Sequence, residues 1–194
     1  MQQKPNIIYI LADDMGYGDV SANNEYCPFR TPAFDSLAQH GIRFTDAHAS
    51  SAVCTPSRYS IMTGRYNWRS ALKEGVLGGY SSPLIPRDRG TVAHMLKTCG
   101  YQTAAIGKWH LGMEFPKLPG FAEQPDFAHS EGIDFKGTIE NSPVSAGFDY
   151  YYGISGSLDM PPYVYIENDR FTAVPDHVTK GSGKGFWREG LTAP

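Results

Sequence analysis

No apolar run in this sequence approaches the roughly 20 residues that cross a bilayer as a helix, so no membrane span is expected. No block of Lys and Arg is present either. The 17 basic residues are spread along the chain against 20 acidic ones, for a net charge of −3. That excludes the electrostatic footprint of a nucleic-acid binder. Cysteine is scarce: Cys27, Cys54 and Cys99 are an odd set of three, not a disulfide framework. Their spacing gives a Cys27–Cys99 bridge little support, and no Cys-x-x-Cys or His/Cys cluster suggests zinc. The N-terminus, MQQKPNIIYILADD, lacks the long apolar segment and small residues of a signal peptide. Either the protein is cytoplasmic or a native leader precedes this chain.

What is present is an ordinary globular composition. With 194 residues, 41% of them hydrophobic, the chain can bury one sizeable core. NIIYILA, residues 6–12, is apolar, β-branched and aromatic, and reads as a buried strand ending at Asp13-Asp14. RTPAFDSLAQHG predicts a helix with Thr31 as N-cap, Pro32 first, Phe34, Leu37 and Ala38 on one face, and Gly41 as the stop. IRFTDAHA, residues 42–49, reads as a second strand. TPSRYSIMTG repeats the start signal at Thr55 and Pro56, and Gly64 ends that helix. RGTVAHMLKTCG predicts a third helix, with Val92, Met95, Leu96 and Cys99 at helical spacing. YQTAAIGKWH then reads as a strand that delivers Lys108 and His110 at its end, and GFDYYYGISGS as a brief return to the sheet. Helices alternating with strands point to an α/β fold with a largely parallel sheet. After residue 112 the texture turns loop-rich. Many of the 12 Tyr and 10 Phe fall in the last third, which suits a ligand-facing surface as well as a core.

In an open α/β sheet, ligands bind beyond the carboxyl ends of the strands. Three groups are expected there. Asp13 and Asp14 repel each other unless a cation sits between them, and hard oxygen ligands suit Ca²⁺ or Mg²⁺. The plainer reading is a turn with one Asp as its cap. Lys108 and His110 share a face by the period of two. A Lys can hold a sulfate or phosphate oxygen, and a His can share that task or move a proton. The plainer reading is a solvated Lys and a core His. Cys54 lies at a helix start, where anions are favoured, with Arg58 one turn in. The plainer reading is a structural Cys and a salt-bridged Arg. Together the three describe a metal-assisted site for a tetrahedral oxyanion: a hydrolase or transferase of a sulfate or phosphate ester.

CTPSR, Cys54 to Arg58, matches the C-x-P-S-R signature of type I, formylglycine-dependent sulfatases. ADDMGYGD, from Ala12, resembles their first metal-binding segment, and GKWHLG, from Gly107, their third. The likeness runs from Asn6 to Gly112 and more loosely through GFDYYYGISGS. It implies an alkaline-phosphatase-like α/β sandwich, of which residues 1–194 would be the N-terminal portion. Residues 1–112 would then hold the metal and nucleophile motifs and 113–194 a loop-rich, aromatic-rich extension. It implies that a sulfatase-maturing, formylglycine-generating enzyme reads Pro56 and Ser57 and converts Cys54 to formylglycine. The hydrated aldehyde would be the nucleophile. The resemblance further implies that Asp13, Asp14 and the residue at Cys54 bind Ca²⁺, Mg²⁺ being the less suitable ion. Arg58 would stabilise the nucleophile, and Lys108 and His110 would contact sulfate oxygens or the diol. The substrate would be a sulfated carbohydrate or aryl sulfate, and such enzymes are periplasmic or secreted.

The family pattern also carries a later acidic/amide metal pair and a further His and Lys. Glu167–Asp169 and His177 stand among expected loops and do not match it. The chain is therefore expected to carry half a site, to be weakly active alone, and to expose apolar surface that a C-terminal piece or self-association would cover. Two rivals remain: a phosphonate or phosphodiester hydrolase of the same superfamily, and a non-catalytic fragment that binds sulfated glycans.

Overall fold

Ala104–Lys108, a run of small and β-branched residues broken by Gly107, forms the first strand, β1. Its partner is β2, Tyr150–Ile154, paired in parallel from Ala104↔Tyr150 to Lys108↔Ile154. The computed structural model describes residues 4–121, 132–181 and 189–193. β3, Ile166–Glu167, and β4, Arg170–Phe171, continue the sheet in antiparallel fashion, in the order β1-β2-β3-β4. A separate antiparallel pair joins β5, His177–Thr179, to β6, Gly190–Thr192. The α/β class is as expected, and the parallel pair falls on the two segments predicted for it. The rest of the sheet is antiparallel, because β3 and β4 are joined by a tight turn rather than a helical crossover.

Chain contacts divide the protein into two units, Met1–His48 and Ala49–Pro194. In the first, α1, Pro32–His40, spans the predicted helix. Thr31 stands at its N-cap but does not cap it; its hydroxyl joins a network with Ser21 and Asp35 instead. The Ser21 and Thr31 hydroxyls hold the Asp35 carboxyl below the usual range. The expected strands at residues 6–12 and 42–49 are absent. A strand is completed by its neighbours, and neither segment pairs with one among the described residues. Ile8 is 85% exposed and Phe44 74%. Phe34 and Leu37 of α1 are exposed too, so the predicted apolar face of this helix is not a buried one.

The second unit holds the core. Tyr59, Tyr80, Leu111, Met113, Phe115, Ile139, Tyr151 and Ile166 are buried together. Phe115 stacks on Phe171 at 5.8 Å and meets Tyr80 edge-on at 6.0 Å. Of the aromatic residues in the last third, Tyr151 and Phe171 are core and Phe135 and Phe148 pack against it, while Tyr150 and Tyr165 are exposed. α2, Cys54–Thr63, starts one residue before the predicted N-cap, with Val53 in extended conformation as cap, and ends at Gly64 in the left-handed region (φ 65°). α3, Val92–Thr98, is capped by the Thr91 hydroxyl, which accepts from His94 N. Its expected stripe is turned outward: Ala93 is buried, while Val92 and Met95 are exposed. The 146–148 turn sits so close to His94 that a Cβ on Gly147 would lie 2.7 Å from its nitrogen, and only a small residue fits beneath.

Asp149 fastens α3 to the start of the sheet. Its carboxylate pairs with Lys97 Nζ at 2.7 Å and accepts from Thr103 N at 2.8 Å. Those bonds, Lys97 first, hold the Asp149 carboxyl below its ordinary value. A depressed carboxylate contributes stability above its unfolded value of about 3.9, and loses it as pH falls through the lower folded value. Asp149→Asn is expected to lower the urea midpoint at pH 7. The gap from wild type should close below about pH 3.9, as urea titrations across that range would show.

Candidate active site

The site is built on the start of α2. The first four N–H groups of a helix have no internal partner, so Pro56, third in α2, costs no hydrogen bond there. Ser57 Oγ lies 2.8 Å from Val53 O and 2.9 Å from Ser51 O, fixing the chain that leads into Cys54. Cys54 is half-buried and is not in a disulfide, nor does a bridge join Cys27 to Cys99.

The parallel pairing of β1 and β2 carries the basic residues to this helix end. It continues past both strands, with Trp109 N on Ile154 O (3.0 Å) and His110 N on Ser155 O (2.9 Å). Lys108 Nζ then reaches Cys54 Sγ at 3.1 Å and Ser157 Oγ at 3.2 Å. Arg58 Nη1 donates to the Lys108 carbonyl at 2.5 Å. Beneath them Tyr151 is buried, its hydroxyl 2.9 Å from Ile154 O and 3.1 Å from Gly107 O. Burial pushes its phenol up, against the opposing charge of Arg58, so it acts as a neutral donor. The glycines of this region are required by close approach. A Cβ on Gly153 would stand 1.8 Å from Gly107 O, and one on Gly112 (φ +75°) 2.0 Å from Ser82 O.

His110 is fully buried, with a left-handed backbone (φ 56°). Its Nε2 lies 2.6 Å from Leu77 O. A carbonyl only accepts, so Nε2 carries the proton, and Nδ1 is the acceptor when the ring is neutral. Thr55 closes the arrangement: its hydroxyl donates to His110 O (3.0 Å) and accepts from Leu77 N (3.1 Å). Thr55 thus holds the backbone on both sides of the His110–Leu77 bond. Sequence reasoning read it as a helix cap and missed this. Ser157 was missed altogether, since a lone serine in a Gly-Ser turn carries no local signal.

The structure brings together Cys54, Arg58, Lys108 and His110. Asp13 and Asp14 belong to the first unit, both exposed, with Asp14 in the left-handed region (φ 60°). Asp19, in the same segment, accepts from Gly16 N at 2.7 Å and serves as a turn cap. Among the described residues no group of three or more His, Cys, Asp or Glu could hold a metal ion. The 167–169 segment is not a loop but a hairpin turn. Asn168 Oδ1 accepts from Tyr151 N at 3.0 Å, and Glu167 from Tyr150 OH at 3.0 Å. His177 is likewise on β5, beside Asp176. A small cavity of about 20 Å³, between Ile85, Arg89, His94, Trp109 and Ser142, contains none of the four clustered residues. No helix among the described residues is long and apolar enough to cross a membrane.

Comparison with known proteins gives this cluster a context. The family model described as Sulfatase matches residues 5–178. An N-acetylgalactosamine-6-O-sulfatase of Bacteroides thetaiotaomicron is 43% identical over 166 residues, covering 86% of this chain and 29% of that protein. Human steryl-sulfatase is 42% identical over 157 residues, covering 78% and 24%. A solved structure described under metabolism of multiple glycosaminoglycans by Bacteroides thetaiotaomicron superposes with a TM-score of 0.76 at 40% identity. The alignment covers 92% of this chain and 34% of that one, and the shared fold is the alkaline-phosphatase-like α/β class. The chain spans about a quarter to a third of the length of these relatives. By the extent of the family match and these identities, the chain belongs to the sulfatase family.

Proposed function

We propose that this chain carries the nucleophile half of a sulfate-ester hydrolase site, with Cys54 as the precursor of formylglycine. The supporting observation is the Lys108 ammonium 3.1 Å from Cys54 Sγ, at the start of a helix whose Arg58 reaches the same strand end. A converted Cys54 supplies a hydrated aldehyde as nucleophile. Lys108 and Arg58, with the positive end of α2, favour negative charge at that position. His110, with its Nε2 proton held on Leu77, is the imidazole that would contact sulfate oxygens or handle a proton. Asp13 and Asp14 offer two adjacent hard carboxylate ligands, a donor set that fits Ca²⁺ better than a soft metal. Such an ion would supply Lewis-acid chemistry. The relatives' names support a sulfated glycan as substrate, with an aryl sulfate as the simpler probe. Export to the periplasm or beyond is part of the same reading.

The test pairs intact-mass analysis of the Cys54 peptide with assays on a sulfate monoester and a phosphodiester. In a host with a sulfatase-maturing enzyme, which supplies the oxidation, the Cys54 side chain should lose H₂S and gain one oxygen as the thiol becomes the aldehyde. An unconverted thiol there would favour glycan binding without cleavage. Sulfate release should depend on Cys54, and preferential phosphodiester cleavage would shift the reading to the phosphonate and phosphodiester branch. Alone, the 194 residues should turn over weakly or not at all; robust turnover would refute the half-site. Thr55→Val should leave the buried His110 carbonyl and the part-buried Leu77 N–H short of a partner, at roughly 1–3 kcal/mol for the carbonyl. Thr55→Ser should restore most of that in denaturant titration.

A further inference from the structure

We infer that the small cavity walled by Ile85, Arg89, Trp109 and Ser142 binds one anion of halide size, at a site separate from the Cys54 cluster. Its volume of about 20 Å³ exceeds the ~10–15 Å³ that a single water-sized guest needs. Two polar atoms on its walls are buried without a partner: the hydroxyl of Ser142, a residue 1% exposed, and Nε of Arg89. Burying such a group unpaired is costly. The guanidinium can only donate, and it is always charged. Among the described residues no Asp or Glu lines the cavity, and Arg89 is in no ion pair. Arg87, on the same wall, differs, because Glu114 and Glu140 hold its guanidinium. A water would meet both unpaired groups but leave the Arg89 charge uncompensated. An anion answers both needs. The walls are fixed in advance. Arg89 N donates to Pro86 O at 2.9 Å and Ala146 N to Ser142 O at 3.2 Å, while the Thr91 hydroxyl ties Ala146 O to the start of α3. Trp109 Nε1 is committed to Gly112 O at 3.0 Å, so the indole has no N–H left for a guest. A bound anion would thus join the 86–89 turn to the 142–146 turn beside Trp109, with no part in the chemistry at position 54.

Bromide is the probe, because it quenches an indole that it touches, whereas chloride competes for the same site without quenching. With Trp68→Phe and Trp187→Phe in the 194-residue chain, Trp109 is the remaining tryptophan. Its fluorescence should fall along a saturating curve as sodium bromide replaces sodium methanesulfonate at constant ionic strength, and chloride should restore it. Arg89→Gln should raise the half-saturating bromide concentration about fivefold, the ~1 kcal/mol between unit charges 4 Å apart in water. Ser142→Ala should raise it about tenfold or more, as the loss of a hydrogen bond to a charged group predicts. At ten times its half-saturating concentration, bromide should lower the parent's unfolding constant in urea about tenfold, and less in either variant. Linear quenching that chloride does not reverse overturns the inference and leaves a water as the guest. An unchanged half-saturation in either variant also overturns it, by placing the halide elsewhere. Should either variant fail to fold, the parent's curve and its reversal by chloride decide the matter.

Discussion

The parallel register of β1 and β2 is the constraint on which the clustered residues depend. Gly107 faces Gly153 so closely that neither a side chain nor a slip of one residue could be accommodated there. That register puts Lys108 opposite Ile154 and lets the pairing run on through Trp109 and His110. Lys108 and His110 therefore leave the sheet at fixed heights. One meets Cys54; the other is clamped by Thr55 and Leu77. Alternation does the rest: Trp109, between them, turns the other way to pack edge-on against Phe148.

The strand end and the helix start meet at the cluster. β1 and α2 bring a lysine, an arginine and the positive end of a helix to one place, and a helix start favours negative charge. The described partners of the two side chains are a carbonyl, a hydroxyl and a thiol. Such partners fix the direction of the two side chains. At the surface knot of Arg87, Glu114 and Glu140 at 2.8 and 2.6 Å take up the guanidinium's charge and raise its proton affinity.

What the sequence disclosed follows a physical line. α1 and α2 were legible because their stop signals are local: Gly41 and Gly64 end them wherever the rest of the chain lies. β1 and β2 were legible because each carries its own apolar run, and they find each other. NIIYILA at residues 6–12 has an equally strong run yet forms no strand here, because a ladder is a property of pairs. The orientation of α3 was illegible for a related reason. Val92 and Met95 look like a core stripe, but it is Ala93 that faces inward, with the 146–148 turn close against His94 beside it. Among site residues, Cys54, Arg58, Lys108 and His110 were found because their chemistry is distinctive. Thr55 and Ser157 were not, because a hydroxyl acquires its role from what stands three ångströms away.

The division of labour between these two kinds of residue has a consequence for how the motif should be understood. C-x-P-S-R names the groups that do chemistry, yet its unspecified second position here is a threonine with no exposed surface and two hydrogen bonds across the fold. The freedom of that position is bounded by the need to satisfy a buried carbonyl and a part-buried N–H at once, which a hydroxyl does because it both donates and accepts. A residue that only packs would leave both groups unmet, at a cost comparable to a large share of a domain's net stability. Position 55 is thus constrained by His110 and Leu77 rather than by Cys54, and the motif reads as one edge of a three-part clamp: α2, Leu77 and the end of β1.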